Sequence, residues 1–72
     1  MDKRIARRYR GEWVILQVKV FDGTSDRKHR GKVVLIGDDF LDLETKQGNK
    51  HRYHYYKIAS LVIDKKNRYW DS

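Results

Sequence analysis

The chain has 72 residues and no cysteine, so we expect one small domain without disulfides or thiolate zinc sites. Seventeen Lys and Arg residues against ten Asp and Glu residues give a net charge of +7, which favours polyanionic partners. The three histidines lie among basic residues, which repel divalent cations, so we expect neither a metal nor another cofactor.

No apolar stretch approaches the roughly 18 residues of a membrane span. The basic N-terminus also lacks the apolar region of a secretory signal. We therefore expect a cytoplasmic protein with no membrane partner. A domain of this size is only marginally stable alone, and without disulfides or a metal the expected support is self-association.

Residues 2–10 predict a short N-terminal helix, because they are good helix formers and contain neither Gly nor Pro. Asp2 is suited to its N-cap and Gly11 to its C-terminal stop. Ile5 and Tyr9 are four residues apart and are expected to dock it. Arginines on its remaining surface are either phosphate contacts or a solvated face: Arg4, Arg7, Arg8 and Arg10.

The first predicted strand runs from Trp13 to Phe21. Its even-numbered residues from Val14 to Val20 are apolar and alternate with a second, partly apolar face. Two apolar faces indicate a barrel covered by the helix, or a subunit interface. Asp22-Gly23 then predicts a reverse turn.

A basic segment and the second strand follow that turn. Residues 24–30 are predicted as a polar loop whose tip carries Arg27, Lys28, His29 and Arg30, candidate phosphate contacts or a solvated charged loop. The second strand is expected from Arg30 to Ile36. Gly31 within it indicates a bulge, a sharp bend or a close backbone approach.

The remaining strands are short. The third is expected from Phe40 to Thr45, with Leu41 and Leu43 pointing inward, and turns are expected at residues 37–39 and 46–49. The fourth is expected from His51 to Tyr56, and the fifth from Ile58 to Ile63 after a break at Lys57. Residues 64–72 form a polar tail that contains Tyr69 and Trp70.

These elements predict a mainly β fold, a short helix followed by a strongly bent five-stranded antiparallel barrel. Residues 1–72 would form one domain, with the helix at about 2–10, the barrel at about 13–63 and the tail at 64–72. Sm-like and SH3-like barrels both fit. The leading helix favours the Sm-like architecture, since the SH3-like pattern does not require it.

Several motifs occur in the order found in the Sm-like family: an Asp-Gly hairpin, a Gly in the second strand, and an Asp before a Leu-rich third strand. Over residues 2–63 the chain resembles this family, and its bacterial Hfq branch in particular. It departs from Hfq at Ile58, where the second motif normally has His. The matching residues are Asp22-Gly23, Gly31, Asp38, Phe40, Leu41 and Leu43, and in the second motif Tyr56-Lys57 and Ala59-Ser60, on either side of Ile58.

The resemblance implies a non-enzymatic RNA-binding ring of six or seven subunits. In this family the fourth strand of one subunit pairs with the fifth strand of the next. The resemblance further implies that Phe40 stacks on a base and that Lys57 lies near the pore. Such stacking is worth about 1–3 kcal/mol per base.

Residues 50–57 interleave cations and aromatics, a mixture suited to single-stranded RNA. Strand alternation places His51, Tyr53 and Tyr55 on one face and Arg52, His54 and Tyr56 on the other. Tyr55 is expected to be buried. The candidate RNA-binding residues of the whole chain are Phe40, Lys57, Arg52, His54, Arg27, Lys28, Arg30, Arg4, Arg7 and Arg8.

Other functions remain open at this point. The chain has no evident Ser-His-Asp spacing, phosphate-binding Gly loop or zinc-protease motif, so we expect no catalytic residue. The carboxylates between Asp38 and Glu44 are more simply a turn and a strand face than a Mg²⁺ site. Alternatives are a protein-interaction adaptor that uses Tyr69 and Trp70, and an SH3-like barrel that binds duplex DNA.

Overall fold

A computed structural model describes residues 1–19 and 27–65 and confirms the mainly β fold, a short helix followed by five antiparallel strands in one sheet. The predicted Asp22-Gly23 turn, the end of the first strand and the Tyr69-Trp70 tail lie outside the described residues. The elements are α1 (Lys3–Arg7), β1 (Trp13–Val18), β2 (Arg27–Ile36), β3 (Phe40–Glu44), β4 (Lys50–His54), a 3-10 turn (Tyr55–Lys57) and β5 (Ile58–Ile63).

The sheet has the strand order β4-β3-β2-β1-β5. Strand β2 belongs to two strand pairs: Arg27 to Lys32 lie opposite β1, and Lys32 to Ile36 lie opposite β3. The register shifts between Val33 and Leu35, which marks an irregularity in the β2–β3 ladder. Irregularities of this kind bend a strand, and the single five-stranded sheet is compatible with a small bent barrel.

Gly31 lies next to the point where β2 changes partner. A Cβ at this position would lie 2.9 Å from the Cβ of Leu43 and 3.1 Å from the carbonyl oxygen of Glu44. The predicted close backbone approach is therefore confirmed. The two strands approach here more closely than any side chain at residue 31 allows.

The core lies on the concave face of the sheet. Leu16, Leu41 and Leu43 are its largest fully buried side chains, so the inward direction predicted for the two β3 leucines is confirmed. Alternation along each strand places these residues on one face and the charged residues between them on the other. Six further apolar residues complete the core: Ala6, Val14, Val33, Tyr55, Ile58 and Leu61.

Helix α1 is shorter than predicted, and one of the two predicted docking residues, Tyr9, packs against the core. It has five residues, and Asp2 caps it by accepting a hydrogen bond from the Ile5 N–H at 3.0 Å. Ile5 is 42 % exposed, so its predicted docking role is wrong, whereas Ala6 is fully buried and Tyr9 packs against the core. The α1 residue that faces the sheet is therefore Ala6, which directly follows Ile5 in the chain.

The turn after α1 attaches the helix to the sheet. The Gly11 N–H donates to the Val33 carbonyl at 2.8 Å, and the Val33 N–H donates to the Glu12 carbonyl at 3.0 Å. Gly11 has a φ of 79°, a conformation that favours glycine. The helix itself ends at Arg7, four residues before this glycine, so the predicted stop lies in the connecting turn.

Several predicted strand boundaries change, including the start of β4, which lies at Lys50 instead of His51. Strand β2 begins at Arg27, so the residues predicted as a basic hairpin tip are strand residues with alternating faces. Strand β3 ends at Glu44, one residue early. Strand β4 ends at His54, and Tyr55–Lys57 form a 3-10 turn that places Tyr55 in the core. Predicted and observed bounds agree for β5.

Strands β4 and β5 are the two edges of the sheet, and each has one neighbour in it. In the portions 1–19 and 27–65, the model contains no helix long and apolar enough to cross a membrane.

The close approach at Gly31 predicts a large effect of adding one methyl group. Gly31→Ala should lower the free energy of unfolding by about 1–3 kcal/mol, because the added Cβ forces β2 away from β3. Chemical denaturation monitored by tryptophan fluorescence measures this change. Lys46→Ala is the control, since Lys46 is exposed in the turn after β3 and makes no close strand contact.

The control should change the free energy of unfolding by less than about 0.5 kcal/mol. Equal stability of Gly31→Ala and the wild type would contradict the close approach.

Candidate nucleic-acid interface

A row of alternating cationic and aromatic side chains lies where β3, β4 and the 3-10 turn meet. The Arg52 guanidinium carbon is 3.9 Å from the Phe40 ring centroid, and the Phe40 and His54 centroids are 6.3 Å apart. His54 and Tyr56 centroids are 5.9 Å apart, and the Lys57 ammonium is 5.9 Å from the Tyr56 centroid. We call this set, Arg52, Phe40, His54, Tyr56 and Lys57, the cation–aromatic ladder.

Strand pairing positions the first half of the ladder. Phe40 on β3 lies opposite His54 on β4, and Asp42 lies opposite Arg52. Residues directly opposite each other share a face of the sheet, and here it is the face away from the core. Asp42 also orients Arg52, because the Nε and Nη2 donate to its two carboxylate oxygens at 2.9 and 3.3 Å.

Phe40 is held in place by its neighbours. A Cβ on Gly37 would lie 2.5 Å from the Phe40 ring, so the ring packs directly over that glycine. The Gly37 N–H donates to the Phe40 carbonyl at 2.8 Å, which closes the turn beneath the ring. Since the Arg52 guanidinium also contacts it, Phe40 is the half-buried base of the ladder.

Tyr56 is an exposed aromatic ring of the ladder, with 67 % of its surface accessible. Its position follows from the 3-10 turn, which directs Tyr55 into the core and the next residue outward. Because the ring is exposed and has a cation beside it, Tyr56 offers a surface on which a planar base can stack.

Tyr55 attaches the 3-10 turn to the turn that carries Phe40. Its hydroxyl donates to the Gly37 carbonyl at 2.7 Å, and its N–H donates to the Asp39 carbonyl at 2.9 Å. Burial, followed by the nearby Asp39 and Asp38 carboxylates, raises the pKa of Tyr55, so its phenol remains a hydrogen-bond donor at neutral pH. The predicted burial of Tyr55 is confirmed.

Helix α1 borders this region. The Lys3 ammonium contacts the Asp38 carboxylate at 2.7 Å, and that hydrogen bond, strengthened by charge, lowers the pKa of Asp38. The positive charge of Arg7 on α1 also acts to lower the pKa of Asp38 and of Tyr55, as a smaller cause. Arg4 on α1 and Arg8 in the following turn are exposed.

The predicted cations of β2 lie apart from the ladder. Lys28 and Arg30 lie opposite Gln17 and Ile15, on the outward face of the sheet. Arg27 lies opposite Val18, a residue packed against the core, and therefore on the concave side. A loop would have left all three beside one another, whereas the strand separates them onto two faces.

The structure therefore brings together four of the ten predicted RNA-binding residues, Phe40, Arg52, His54 and Lys57. The other six are on α1, the turn after it and β2. Tyr56 lies outside the predicted set of site residues, although strand alternation in the sequence places it on one face with Arg52 and His54. The face that it shares with two predicted RNA-binding residues is the sequence feature that could have identified Tyr56 as a site residue.

Within the described part of the chain, no three His, Asp or Glu side chains are arranged to hold a metal ion. A scan against models of known protein families finds no match, and a search of curated proteins finds no similar sequence. The resemblance to Sm-like proteins therefore depends on the quoted residues.

The Tyr55 hydroxyl predicts a measurable difference between two similar variants. Tyr55→Phe should lower the free energy of unfolding by about 0.5–1.5 kcal/mol, because the Gly37 carbonyl loses its hydrogen bond. Tyr56→Phe removes the same atom from an exposed ring and should change it by less than about 0.5 kcal/mol. Urea denaturation of both variants measures the difference, and equal values would show that the 2.7 Å bond contributes nothing.

Proposed function

We propose that this protein binds single-stranded RNA without catalysing a reaction, and that the cation–aromatic ladder is the contact surface. The observation that carries the proposal is the ladder itself. Its exposed ring, Tyr56, lies near the His54 ring and the Lys57 ammonium, each 5.9 Å from the Tyr56 centroid. Aromatic rings beside cations match the alternation of bases and phosphates along a nucleic-acid strand.

The ladder supports a specific division of roles. Tyr56 stacks on one base, and His54 extends that stacking surface towards Phe40. Lys57 contacts a backbone phosphate as a point charge. Arg52 is already bound to Asp42, so its guanidinium plane mainly supports Phe40 and carries less of the phosphate contact.

An unpaired strand fits this surface better than a duplex. Stacking on an exposed side chain needs the flat face of a base, which a duplex buries between neighbouring pairs. Single-stranded RNA recognition depends on such splayed bases. Cations away from the ladder add sequence-independent phosphate attraction, in keeping with the net charge of +7: Arg4, Arg7, Arg8, Lys28 and Arg30.

The proposal includes self-association into a ring through the two edge strands. Strands β4 and β5 each have one partner in the sheet, and exposed edges are otherwise sites of uncontrolled pairing. Val62 is 51 % exposed on β5, an apolar residue that an added strand would cover. The Sm-like resemblance implies six or seven subunits joined by β4–β5 pairing, and a closed ring removes both edges.

Replacing the stacking ring tests the RNA interface. Tyr56→Ala should weaken binding of a uridine or adenosine oligonucleotide about 5- to 150-fold, the equivalent of about 1–3 kcal/mol for one stacked base. Tyr56→Phe keeps the ring and should bind like the wild type. Fluorescence anisotropy at moderate salt measures both, and wild-type affinity of Tyr56→Ala would place the RNA elsewhere.

The phosphate contact predicts a change in salt dependence. Lys57→Gln should reduce the slope of log affinity against log salt by about 0.7, the value for one phosphate contact on a single strand. Arg10→Gln removes an equal charge from the turn after α1 and should leave that slope closer to the wild type. Equal binding of duplex DNA of the same length would favour the duplex-binding alternative.

Charge at the β5 edge tests the ring. Val62→Lys should dissociate the assembly through repulsion between like charges. The added ammonium would face the basic side of the neighbour's β4, which carries Lys50, Arg52 and His54. Val62→Glu places an attractive charge there and should keep the assembly. Native mass spectrometry and light scattering at micromolar concentration measure the subunit number, and a wild-type monomer would refute the ring.

A further inference from the structure

A second group of ionisable side chains lies on the concave side of the sheet, separate from the ladder. It consists of Arg27 and His29 on β2, and His51 and Tyr53 on β4, and we call it the concave basic cluster. The His29 and Tyr53 ring centroids are 5.3 Å apart, which joins the two strands although they are not neighbours in the sheet.

Strand registers place all four side chains on one face. His29 lies opposite Leu16, which is fully buried, and Arg27 lies two residues earlier on the same face of β2. On β4, His51 and Tyr53 lie opposite the buried leucines of β3. The bend of β2 at Gly31 carries its first half over the sheet, so that His29 reaches a strand two positions away.

The same alternation separates this cluster from the neighbouring carboxylates. Asp42 and Glu44 of β3 lie opposite Arg52 and Lys50, on the outward face. The residues of β1 opposite Arg27 and His29 are apolar. The charged groups that act on His29 most strongly are therefore both basic, His51 and Arg27.

Burial and these two cations act in the same direction on His29. Burial is the larger cause, and the charges of His51 and then Arg27 add to it, so that the pKa of His29 lies below its ordinary value of 6.5. The burial raises the pKa of Tyr53 as well, which keeps its phenol protonated as a possible donor. An anion between the two strands would offset this repulsion and favour the charged form of the His29 imidazole.

We propose that Arg27, His29 and His51 form a binding site for a phosphate group, walled on one side by the Tyr53 ring. The site does not require the ladder to bind RNA. Its ligand is either a phosphate of a nucleic-acid backbone or a free phosphate, since both present the same oxygens. Binding strengthens as pH falls, because the imidazoles contact an anion best when protonated.

NMR of the imidazole groups tests the site, with sulfate as a phosphate analogue that stays doubly charged throughout the titration. Sulfate should shift the His29 and His51 signals saturably at about pH 6 and raise the pKa of His29. The His54 signals, on the outward face, should follow a sodium chloride control of equal ionic strength. Equal shifts of all three histidines, or none, would overturn the site.

Two variants separate this site from general charge and from the RNA interface. Arg27→Gln should weaken sulfate binding about tenfold, the loss of one charge-assisted hydrogen bond, whereas Arg10→Gln should leave it unchanged. Tyr56→Ala should leave the sulfate response intact, so that failure of the ladder and failure of this site give different results. Equal effects of the two arginine variants would show non-specific attraction.

Two ligand arms distinguish the source of the phosphate. A uridine hexanucleotide that shifts His29 and His51 in the Tyr56→Ala variant identifies a nucleic-acid backbone as the ligand. A response to inorganic phosphate without a response to the hexanucleotide identifies a free phosphate. The absence of both responses would overturn the proposal.

The lowered pKa of His29 also predicts how stability depends on pH. Below the unfolded value of 6.5 the unfolded chain binds more protons than the folded chain, so the free energy of unfolding should fall as pH drops from about 7.5 to about 5.5. His29→Gln should flatten this dependence, and Lys28→Gln, on the other face of β2, should not. At the lower pH, sulfate should raise the free energy of unfolding of the wild type but not that of His29→Gln. If sulfate leaves the stability of the wild type unchanged, the site is refuted.

Discussion

The close approach of β2 to β3 at Gly31 is the constraint on which the rest of this structure depends. It allows β2 to pair with β1 over its first half and with β3 over its second. Because β2 bends there, the concave face closes around Leu16 and Leu43 and gives a chain of 72 residues a continuous core. The bend also brings His29 against a strand that is not its neighbour in the sheet.

Tyr55 connects the core to the outward-facing ladder. Its ring belongs to the core, and its hydroxyl and N–H bind the turn that holds Phe40. The hydrogen bonds made by one buried side chain therefore fix the relative position of β3, β4 and the 3-10 turn. That position brings the cations and aromatic rings of the outward face into one row, whose chemistry supports the proposed contact with RNA.

The distribution of charges between the two faces of the sheet supports the proposed binding sites. Alternation places the carboxylates of β3 on the outward face, where Asp42 binds Arg52. The concave basic cluster therefore faces no carboxylate from β3, and its repulsion favours an anionic ligand. The proposed assembly has a different basis, the two edge strands β4 and β5. Pairing between subunits would cover both edges, which otherwise expose unpaired backbone groups.

The sequence by itself determined the features that depend on neighbours along the chain. Alternation identified the inward leucines of β3 and the buried Tyr55, and it placed Arg52, His54 and Tyr56 together. Only the tertiary structure decided which residue docks α1, Ala6 rather than Ile5, and that Arg27 to Arg30 form a strand instead of a loop. The physical reason is that periodicity is local, whereas docking and strand length depend on partners distant in the chain, here the β1 and β3 neighbours of a bent β2.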